Sequence, residues 1–588
     1  MIKNYLKIAI RNLLKRKGFS AINIMGLAIG IGTCILMLLF VQDELSYDRF
    51  HEKADRMVRV YFSGTVQGGK MVESTVMPPT AQTLKNDYPE VQEATRIRTY
   101  GRPRLLYGNK SFNEDEFAFV DSNFFQVFTL PLLQGDASTA LQEPNTAVVT
   151  RAFAKRYFGD ADPMGKTISY KDGNNPPFKI TGLIDKVPKN SHFHFDIFAS
   201  MAGFPQSRST SWMESEFYTY LVLNPGYDYK KLEAKLPQVV EKYMGPQILQ
   251  AMGMNFAQFK QKGNNIGLYL QPLADIHLHS DFTYDLSPAG DIRYVYIFSA
   301  IALFMLLIAC INFMNLSTAS ASKRAREVGI RKVLGSMKWE LIRQFLVESI
   351  LLTAMSLVMA IGFVYLTLPV FNELAGKDLH LDFLENPWLM PSLLLIGLGV
   401  GVLAGSYPAF FLSSFKPVAV LKGRFTSGKN SIGLRSGLVV FQFFISITLI
   451  VSTAVVYKQL SYIQNKKLGF NKEQVLVLPE TGQLGKNQEV FRQQLAQDSR
   501  IASVSTSGYL PAGPSFNNNF FIYPENNSTH LIKTLRYDID YDYIPTLGIE
   551  MKSGRNFSKD FSTDSSGAIL NEAAAKMLSS FPVFCSDS

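Results

Sequence analysis

Long uncharged apolar runs alternate along this chain with stretches of mixed polarity. The first run, Ala21–Val41, reads "AINIMGLAIGIGTCILMLLFV" and contains no charged residue. At about 1.5 Å per residue it covers the roughly 30 Å hydrocarbon core of a bilayer. Comparable runs follow at Val295–Leu316, Phe345–Leu368, Pro391–Leu412 and Leu438–Val456. A buried helix of a soluble protein accounts for one such run, not for five. The first run is too long for a signal-peptide core, and no small-x-small cleavage site precedes "QDELSYDRF". The pattern therefore predicts transmembrane spans at 21–41, 293–316, 342–368, 391–413 and 436–457. Between them lie a basic N-terminal helix (1–20), an outer domain (42–292), a segment at 317–341, a short loop (369–390), a linker (414–435) and a second domain (458–588).

Residues 42–292 carry α+β patterning. "AVVT" followed by "RAFAKRYF" reads as strand then helix. "FKITGLI", "HFHFDIFAS" and "FYTYLVLN" read as strands, and "YKKLEAKLPQVVEKYM" has helical spacing. Parts of this region recur. Leu45-Ser46-Tyr47 returns as Leu460-Ser461-Tyr462, Asp121 aligns with Asp540 and Gly135 with Gly554, and "AVVTRAFAKRYF" from Ala147 matches "AILNEAAAKML" from Ala568. Near-constant offsets in register predict a duplicated unit of one span, an outer domain and three spans. The second copy stops at "SSFPVFCSDS", before the counterparts of its last three spans, so the sequence is expected to be a truncated product. The predicted fold class is an α-helical multi-pass membrane protein with α+β extracytoplasmic domains and an incomplete second copy.

Charge then orients the chain. Net charge is +10, while charged residues make up only 18% against roughly 25% in soluble domains. Basic residues crowd the first 20 positions (Lys3, Lys7, Arg11, Lys15, Arg16, Lys17), the second-to-third connection (Lys323, Arg324, Arg326, Arg331, Lys332, Lys338) and the fourth-to-fifth (Lys416, Lys422, Arg424, Lys429, Arg435). The third-to-fourth loop reverses the sign, with Glu373, Asp378, Asp382 and Glu385 against the single Lys377. The positive-inside rule predicts a cytoplasmic N-terminus, with the large domains outside a bacterial inner membrane. Much of the positive balance is thus orientation signal, and nucleic-acid binding is not expected. Cys34, Cys310 and Cys585 are too scattered for a disulfide framework or a zinc site.

"SKRAREVGIRKVLGSMKWELIRQFLVES" joins spans two and three. Ile330, Val333, Met337, Leu341 and Phe345 recur at helical spacing, with Arg324, Arg331 and Lys338 on another side. Gly335 followed by Ser336 reads as a stop and an N-cap, with Glu340 at N4 and hence no capping box. A helix lying on anionic lipid fits this pattern, and so does a docking lever for a cytoplasmic protein.

"RAREVGIRKVLGS" resembles the cytoplasmic motif of FtsX-like permeases, the MacB type of ABC transporter. "YDRFHEKADRMVRV", "YFGDADPMGKTI" and "GVLAGSYPAFFLSSFKPVAVLKG" resemble stretches of that family's large Bacteroidetes-type members. The resemblance covers nearly the whole chain except its last ten or so residues. It implies a MacB-like periplasmic core domain at 42–292 and a coupling segment at 317–341. It also implies a permease that binds no nucleotide itself, with ATP and magnesium held by a separate ATPase subunit docked on the segment equivalent to Arg324–Trp339. The expected docking residues are Arg326, Glu327, Gly329, Arg331, Lys332 and Gly335, the basic ones pairing with acidic residues of the ATPase. Motion would pass through the membrane to the outer domains, driving export or extraction. A dimer of permeases in inner-membrane lipid is expected, with a periplasmic adaptor or outer-membrane component as a further partner. The rival reading is an FtsX-like envelope regulator acting on an outer partner without transport. A secondary transporter is disfavoured by the scarcity of ionisable groups within the spans.

Weaker signals complete the sequence. Gly26 and Gly30 in span one, and Gly397, Gly401 and Gly405 in span four, have the spacing of close helix packing. Asn312, Asn315 and Gln442 suit interhelical hydrogen bonds, and Glu348 is the only acid within a span. His192/His194 and His277/His279 would each point to one face if they lay on strands; surface histidines are the expected reading, and no metal site is predicted. "GDADPMGKTI" ends in Gly165-Lys166-Thr167, but its glycines, Gly159 and Gly165, are one residue too far apart for a phosphate loop. A loop entering the strand "TISY" is expected there. No catalytic motif stands out, so an enzyme is not expected.

Overall fold

Five helices are long and apolar enough to cross a bilayer: α1 Lys17–Leu45, α2 Ile292–Ala319, α3 Lys338–Ala375, α4 Leu389–Ser413 and α5 Lys429–Asn465. The structure, a computed structural model, describes residues 11, 17–66, 69–171, 176–282, 284–319, 328–381, 383, 387–414, 429–511, 519–522 and 532–579. Helical geometry outlasts the apolar runs: α1 continues through Gln42-Asp43-Glu44, and α3 ends at Gly376, whose φ of +63° closes the last turn.

The chain forms two compact units. In the first, α1 to α4 pack around Leu27, Ile31, Ala309, Phe313, Ala360 and Ala404. The glycines set the approach. A Cβ on Gly30 would fall 2.4 Å from the Ala309 Cβ, and one on Gly26 would fall 3.3 Å from the Asn312 amide nitrogen. A Cβ on Gly405 would lie 2.6 Å from Ser349 Cβ, and one on Gly401 would lie 3.1 Å from Ile350 Cα. Gly30 thus brings α1 against α2, and Gly405 brings α4 against α3, at distances that a larger side chain could occupy only by shifting a neighbour. Gly26 and Gly401 sit at tight contact, where the neighbour would have to give by a few tenths of an ångström. Gly32, outside the GxxxG spacing, is as tight against Phe363 (2.7 Å).

The part of this unit beyond the helix bundle, the expected outer domain, is built on a mixed sheet. Its centre runs Met57–Val66, Tyr218–Leu223, Val91–Thr99, Phe117–Val120, Ile197–Ser200, Thr146–Thr150 and Phe178–Ile184. Thr146–Thr150 and Phe178–Ile184 pair in parallel, and the short helix Arg151–Phe158 follows the first of them. That helix starts where the sequence indicates, because the Thr150 hydroxyl accepts from the Phe153 N–H, and it stops at Gly159 with φ +66°.

Three expectations change. The "HFHFDIFAS" strand is confined to Ile197–Ser200. His277 and His279 lie on a short helix, Ile276–His279, so they do not share a strand face. The stretch read as one helix from Tyr229 is interrupted after Tyr229–Glu233 and resumes at Leu236–Val239, continuing through a π-helical turn at Val240–Met244. Pro237 has no N–H to give an earlier turn, so it restarts the chain at the head of the second piece.

In the second unit, a hairpin pairs Asn519–Ile522 with Ile532–Leu535. Short helices at Gln488–Ala496, Tyr543–Thr546 and Glu572–Ser579 accompany a small core of Tyr543, Ile544 and Leu547.

Candidate functional site: a coupling segment and an outer joint

Of the expected docking residues, Arg326 and Glu327 lie outside the described residues. The chain is helical over 328–333. Val328 is buried with Leu341, Ile342, Phe345, Ala409 and Leu412, which wedges this helix between the start of α3 and the end of α4. Gly329 is buried beside it. Arg331 donates to the Gln344 side-chain oxygen at 2.6 Å, and the Lys332 ammonium donates to the Ser413 carbonyl at 2.6 Å. Both cations are engaged within the chain, tying the segment to α3 and to the C-terminal end of α4. A cation at that end also meets the negative pole of the α4 dipole.

Gly335 ends the helix as a Schellman turn. Its φ is +98°, its N–H donates to the Lys332 carbonyl, and the Ser336 N–H donates to the Arg331 carbonyl. The restart differs from expectation. Because the Ser336 N–H closes that turn, Met337 becomes the N-cap of α3, one residue later. Glu340 therefore stands at N3 and accepts from the Met337 N–H at 3.1 Å. The break also shifts the helical phase. Leu341 and Phe345 pack inward, whereas Ile330, Val333, Leu334, Met337 and Trp339 are exposed, Leu334 to 80%. The segment presents an apolar face, with two of its cations turned to the bundle.

At the other end of the bundle, helix α1 finishes in a second cluster. The Lys377 ammonium, just past α3, bridges Asp43 (2.8 Å) and Glu44 (2.6 Å) and lies 4.9 Å from the Tyr47 ring centre. The other Glu44 oxygen meets His277 Nε2 at 3.0 Å, and the His277 ring stacks on Tyr47 with centroids 3.4 Å apart. Burial disfavours the Lys377 charge, but its bonds to Asp43 and Glu44 outweigh this and hold its pKa above the usual lysine value. Gly290 closes the site from the side, since a Cβ there would fall 2.8 Å from His277 Nε2 and 2.9 Å from the Glu44 carboxylate. The end of α1, the outer domain and the loop after α3 thus meet at one point.

The chain beyond α1 is locked into the outer domain by the motif "YDRFHEKADRMVRV". Asp48, at φ +59°, accepts from the His192 backbone N–H (3.1 Å) and meets His192 Nδ1 at 2.8 Å, while His192 Nε2 meets the Tyr220 hydroxyl at 2.7 Å. His51 Nδ1 accepts from the Thr129 N–H at 3.0 Å. Burial pushes the His51 pKa down to about 4, against the pull of the Asp48 charge. Arg59, fully buried, donates to Asp285 (2.7 Å) and Gln271 (2.8 Å), with the Phe282 ring 4.8 Å away. His192 and His277 are therefore buried structural partners, while His279 is half exposed beside Asp275. Among the described residues no group of three or more His, Cys, Asp or Glu could hold a metal ion.

The glycine-lysine-threonine turn does not form a phosphate cradle. The Gly165 N–H donates to the Ile180 carbonyl, the Lys166 N–H to the Pro163 carbonyl, and the Lys166 ammonium lies over the Phe158 ring at 4.9 Å. The turn leads into the strand Thr167–Tyr170.

Residues 20–239 match the family described as MacB-like periplasmic core domain, and residues 299–417 match the family described as FtsX-like permease C-terminal. The chain belongs to the FtsX-like, MacB-type permease family. Its relatives include the ABC transporter permease YknZ of Bacillus subtilis, 22% identical over 437 residues, covering 71% of this chain and 98% of YknZ. They also include the macrolide export ATP-binding/permease protein MacB of Neisseria meningitidis, 23% identical over 334 residues, covering 56% of this chain and 47% of that protein. The chain thus spans about half the length of that MacB relative. A solved permease domain from Porphyromonas gingivalis is 21% identical, covering 38% of this chain and 91% of that domain, with a TM-score of 0.33. Five apolar helices and these relatives make this a membrane-embedded permease. Sequence reasoning missed the joint around Glu44 and Lys377 in this permease. Its signal was Lys377 itself, a lone base in an otherwise acidic loop.

Proposed function

We propose that this permease is the membrane subunit of an ABC transporter whose ATPase is a separate chain holding ATP and magnesium. The ATPase docks on the segment around Gly335, and its motion passes along the membrane helices to the outer domain for export or extraction. The carrying observation is the exposed apolar face of Ile330, Val333, Leu334, Met337 and Trp339, held on a segment that Arg331 and Lys332 fasten to α3 and α4. Contiguous exposed apolar surface on a rigid element marks an interaction site, and Trp and Met are strong contact residues. This reading gives Arg331 and Lys332 a supporting role behind the contact face. It assigns the inner membrane, a cytoplasmic N-terminus and periplasmic outer domains on the loop-charge rule. A dimer of permeases and a periplasmic adaptor or outer-membrane component complete the proposed assembly.

The duplication belongs to the same proposal. Helix Phe124–Val127 has a counterpart in Tyr543–Thr546, and Arg151–Phe158 has one in Glu572–Ser579. Asp121 accepts from the Arg96 N–H at 2.8 Å, as Asp540 does from the Thr506 N–H at 2.8 Å. The pair Ile97–Val120 has its parallel in the bridge Ser507–Ile539. Two copies of one span–domain unit would give a permease two equivalent levers.

The test is co-purification of the full chain with the ATPase encoded beside it. Leu334→Asp with Met337→Asp is expected to weaken the complex more than tenfold, about 1.4 kcal/mol or more, with membrane insertion intact. Undiminished binding would refute the docking face. An FtsX-like regulator would keep ATPase binding yet move no solute, and capturing an outer partner by crosslinking from residues 42–292 separates that outcome.

A further inference from the structure

Between the outer half of α1 and the first turns of α4 lies an open cavity of about 520 Å³. Its deep part is lined by Ile35, Leu38, Leu393 and Ile396; its mouth carries Gln42, Ser392 and Arg49. From Arg49, just beyond the end of α1, to Ile35 the cleft descends ten residues below Leu45. At about 1.5 Å per residue that is roughly 15 Å, half of the roughly 30 Å hydrocarbon core. The cleft therefore runs from headgroup level to the bilayer midplane, the depth of one leaflet.

Arg49 is exposed, and its Nε donates to the Leu45 carbonyl at 2.8 Å, fixing the guanidinium at the mouth. Its two terminal nitrogens meet no acceptor among the described residues, and no carboxylate lines the cleft. The polarity gradient asks for an amphiphile: acyl chain inside, acidic group on Arg49. Two geometric alternatives fit less well. A helix about 10 Å wide and 15 Å long occupies roughly 1,200 Å³, more than twice the space. A free anion makes no use of the apolar floor, whereas an acyl chain reaching in from the leaflet stays in apolar surroundings while its headgroup remains at the mouth.

We propose that this cleft is a binding site for one phospholipid with an acidic headgroup, taken laterally from the leaflet on the outer-domain side. An acyl chain fills the apolar part, and the phosphate-bearing headgroup is held by Arg49, with Gln42 as a second donor. The lipid wedges α1 against α4 next to the Glu44–Lys377 joint.

The test uses the full chain in nanodiscs of phosphatidylcholine doped with either photoreactive phosphatidylglycerol or photoreactive phosphatidylcholine, with labelled peptides mapped by mass spectrometry. Labelling of 35–49 and 389–396 by the glycerol lipid is expected to exceed that by the choline lipid at least fivefold, while labelling on α5 shows no preference. Arg49→Gln is expected to erase the preference. Leu393→Trp is expected to cut labelling at the cleft at least fivefold. Ile396→Phe serves as a second filling variant should the first destabilise the fold, as judged by thermal unfolding in detergent. Equal labelling by both lipids, or a preference that survives Arg49→Gln, would reduce the cleft to ordinary boundary lipid and overturn the site. Crosslinking of the cleft to a helix of a second copy would overturn it as well.

Discussion

His51 illustrates what burial does to a single residue. Its Nδ1 accepts from the Thr129 N–H, so the ring is neutral in the fold, and burial pushes its pKa down to about 4 from an ordinary value near 6.5. Unfolded chains take up that proton first as pH falls. Stability carried by neutral His51 is therefore full above pH 6.5 and is lost progressively between about 6.5 and 4. Thermal unfolding of the outer domain should show a drop in Tm across that window, and His51→Asn, which keeps an acceptor near the Nδ1 position, should flatten it. An equally steep profile in the variant would assign the drop to other groups. Arg59 poses the opposite case of a buried charge that must stay paired. Removing it by Arg59→Ala strands Asp285 with 8% exposure, and breaking such a pair costs about 3–5 kcal/mol. Arg59→Ala with Asp285→Ala should recover part of that loss in denaturant unfolding, because no uncompensated charge remains.

At the scale of elements, the sequence was most readable where local chemistry decides. Helix Arg151–Phe158 was legible because Thr150 caps it and Gly159 ends it, both within the segment itself. The spans were legible because a bilayer demands about 20 apolar residues whatever they pack against. The coupling segment was only half legible. Its stop at Gly335 is local, but which face turns inward depends on the two turns of chain geometry between Gly335 and Glu340. The periodic set Ile330, Val333, Met337, Leu341 and Phe345 splits across that break into an exposed and a buried part. The histidine pairs failed as strand faces for the same reason, since Asp48 and Glu44, distant in sequence, decide their roles. The turn itself is testable. At φ +98° a side chain is strained by about 1–2 kcal/mol, so Gly335→Val should loosen 328–337. Faster hydrogen exchange there, with exchange in α3 beyond 345 unchanged, is the expected pattern; uniform acceleration along α3 would mean that the turn does not isolate the two elements.

For the whole molecule the question is how motion at one end of the bundle reaches the other. The first unit offers a continuous route. Lys332 holds the coupling segment to the end of α4, Gly401 and Gly405 seat α4 tightly on α3, and α3 delivers Lys377 to the end of α1. There Glu44 meets His277 at 3.0 Å, so the proposed coupling motion has a contact through which to reach the sheet domain. Glu44 and His277 lie 233 residues apart, and Lys377 and the neighbouring Tyr47 lie 330 apart, which is why no spacing rule revealed the joint. Close-packed interiors transmit displacement without absorbing it, so the charged joint is the part where slack can be introduced by one substitution. Lys377→Met keeps the stem's volume while leaving Asp43 and Glu44 without their cation. The outer domain should remain folded, because its core does not include Lys377. Hydrogen exchange over 46–56 and 276–281 should accelerate about tenfold or more, and, in the ABC assembly proposed above, ATP hydrolysis should continue without driving transport. Unchanged exchange with lost transport would place the effect of Lys377 elsewhere than the joint. Accelerated exchange with transport intact would show that the load travels by another path, the Tyr47–His277 stack being the next contact in line.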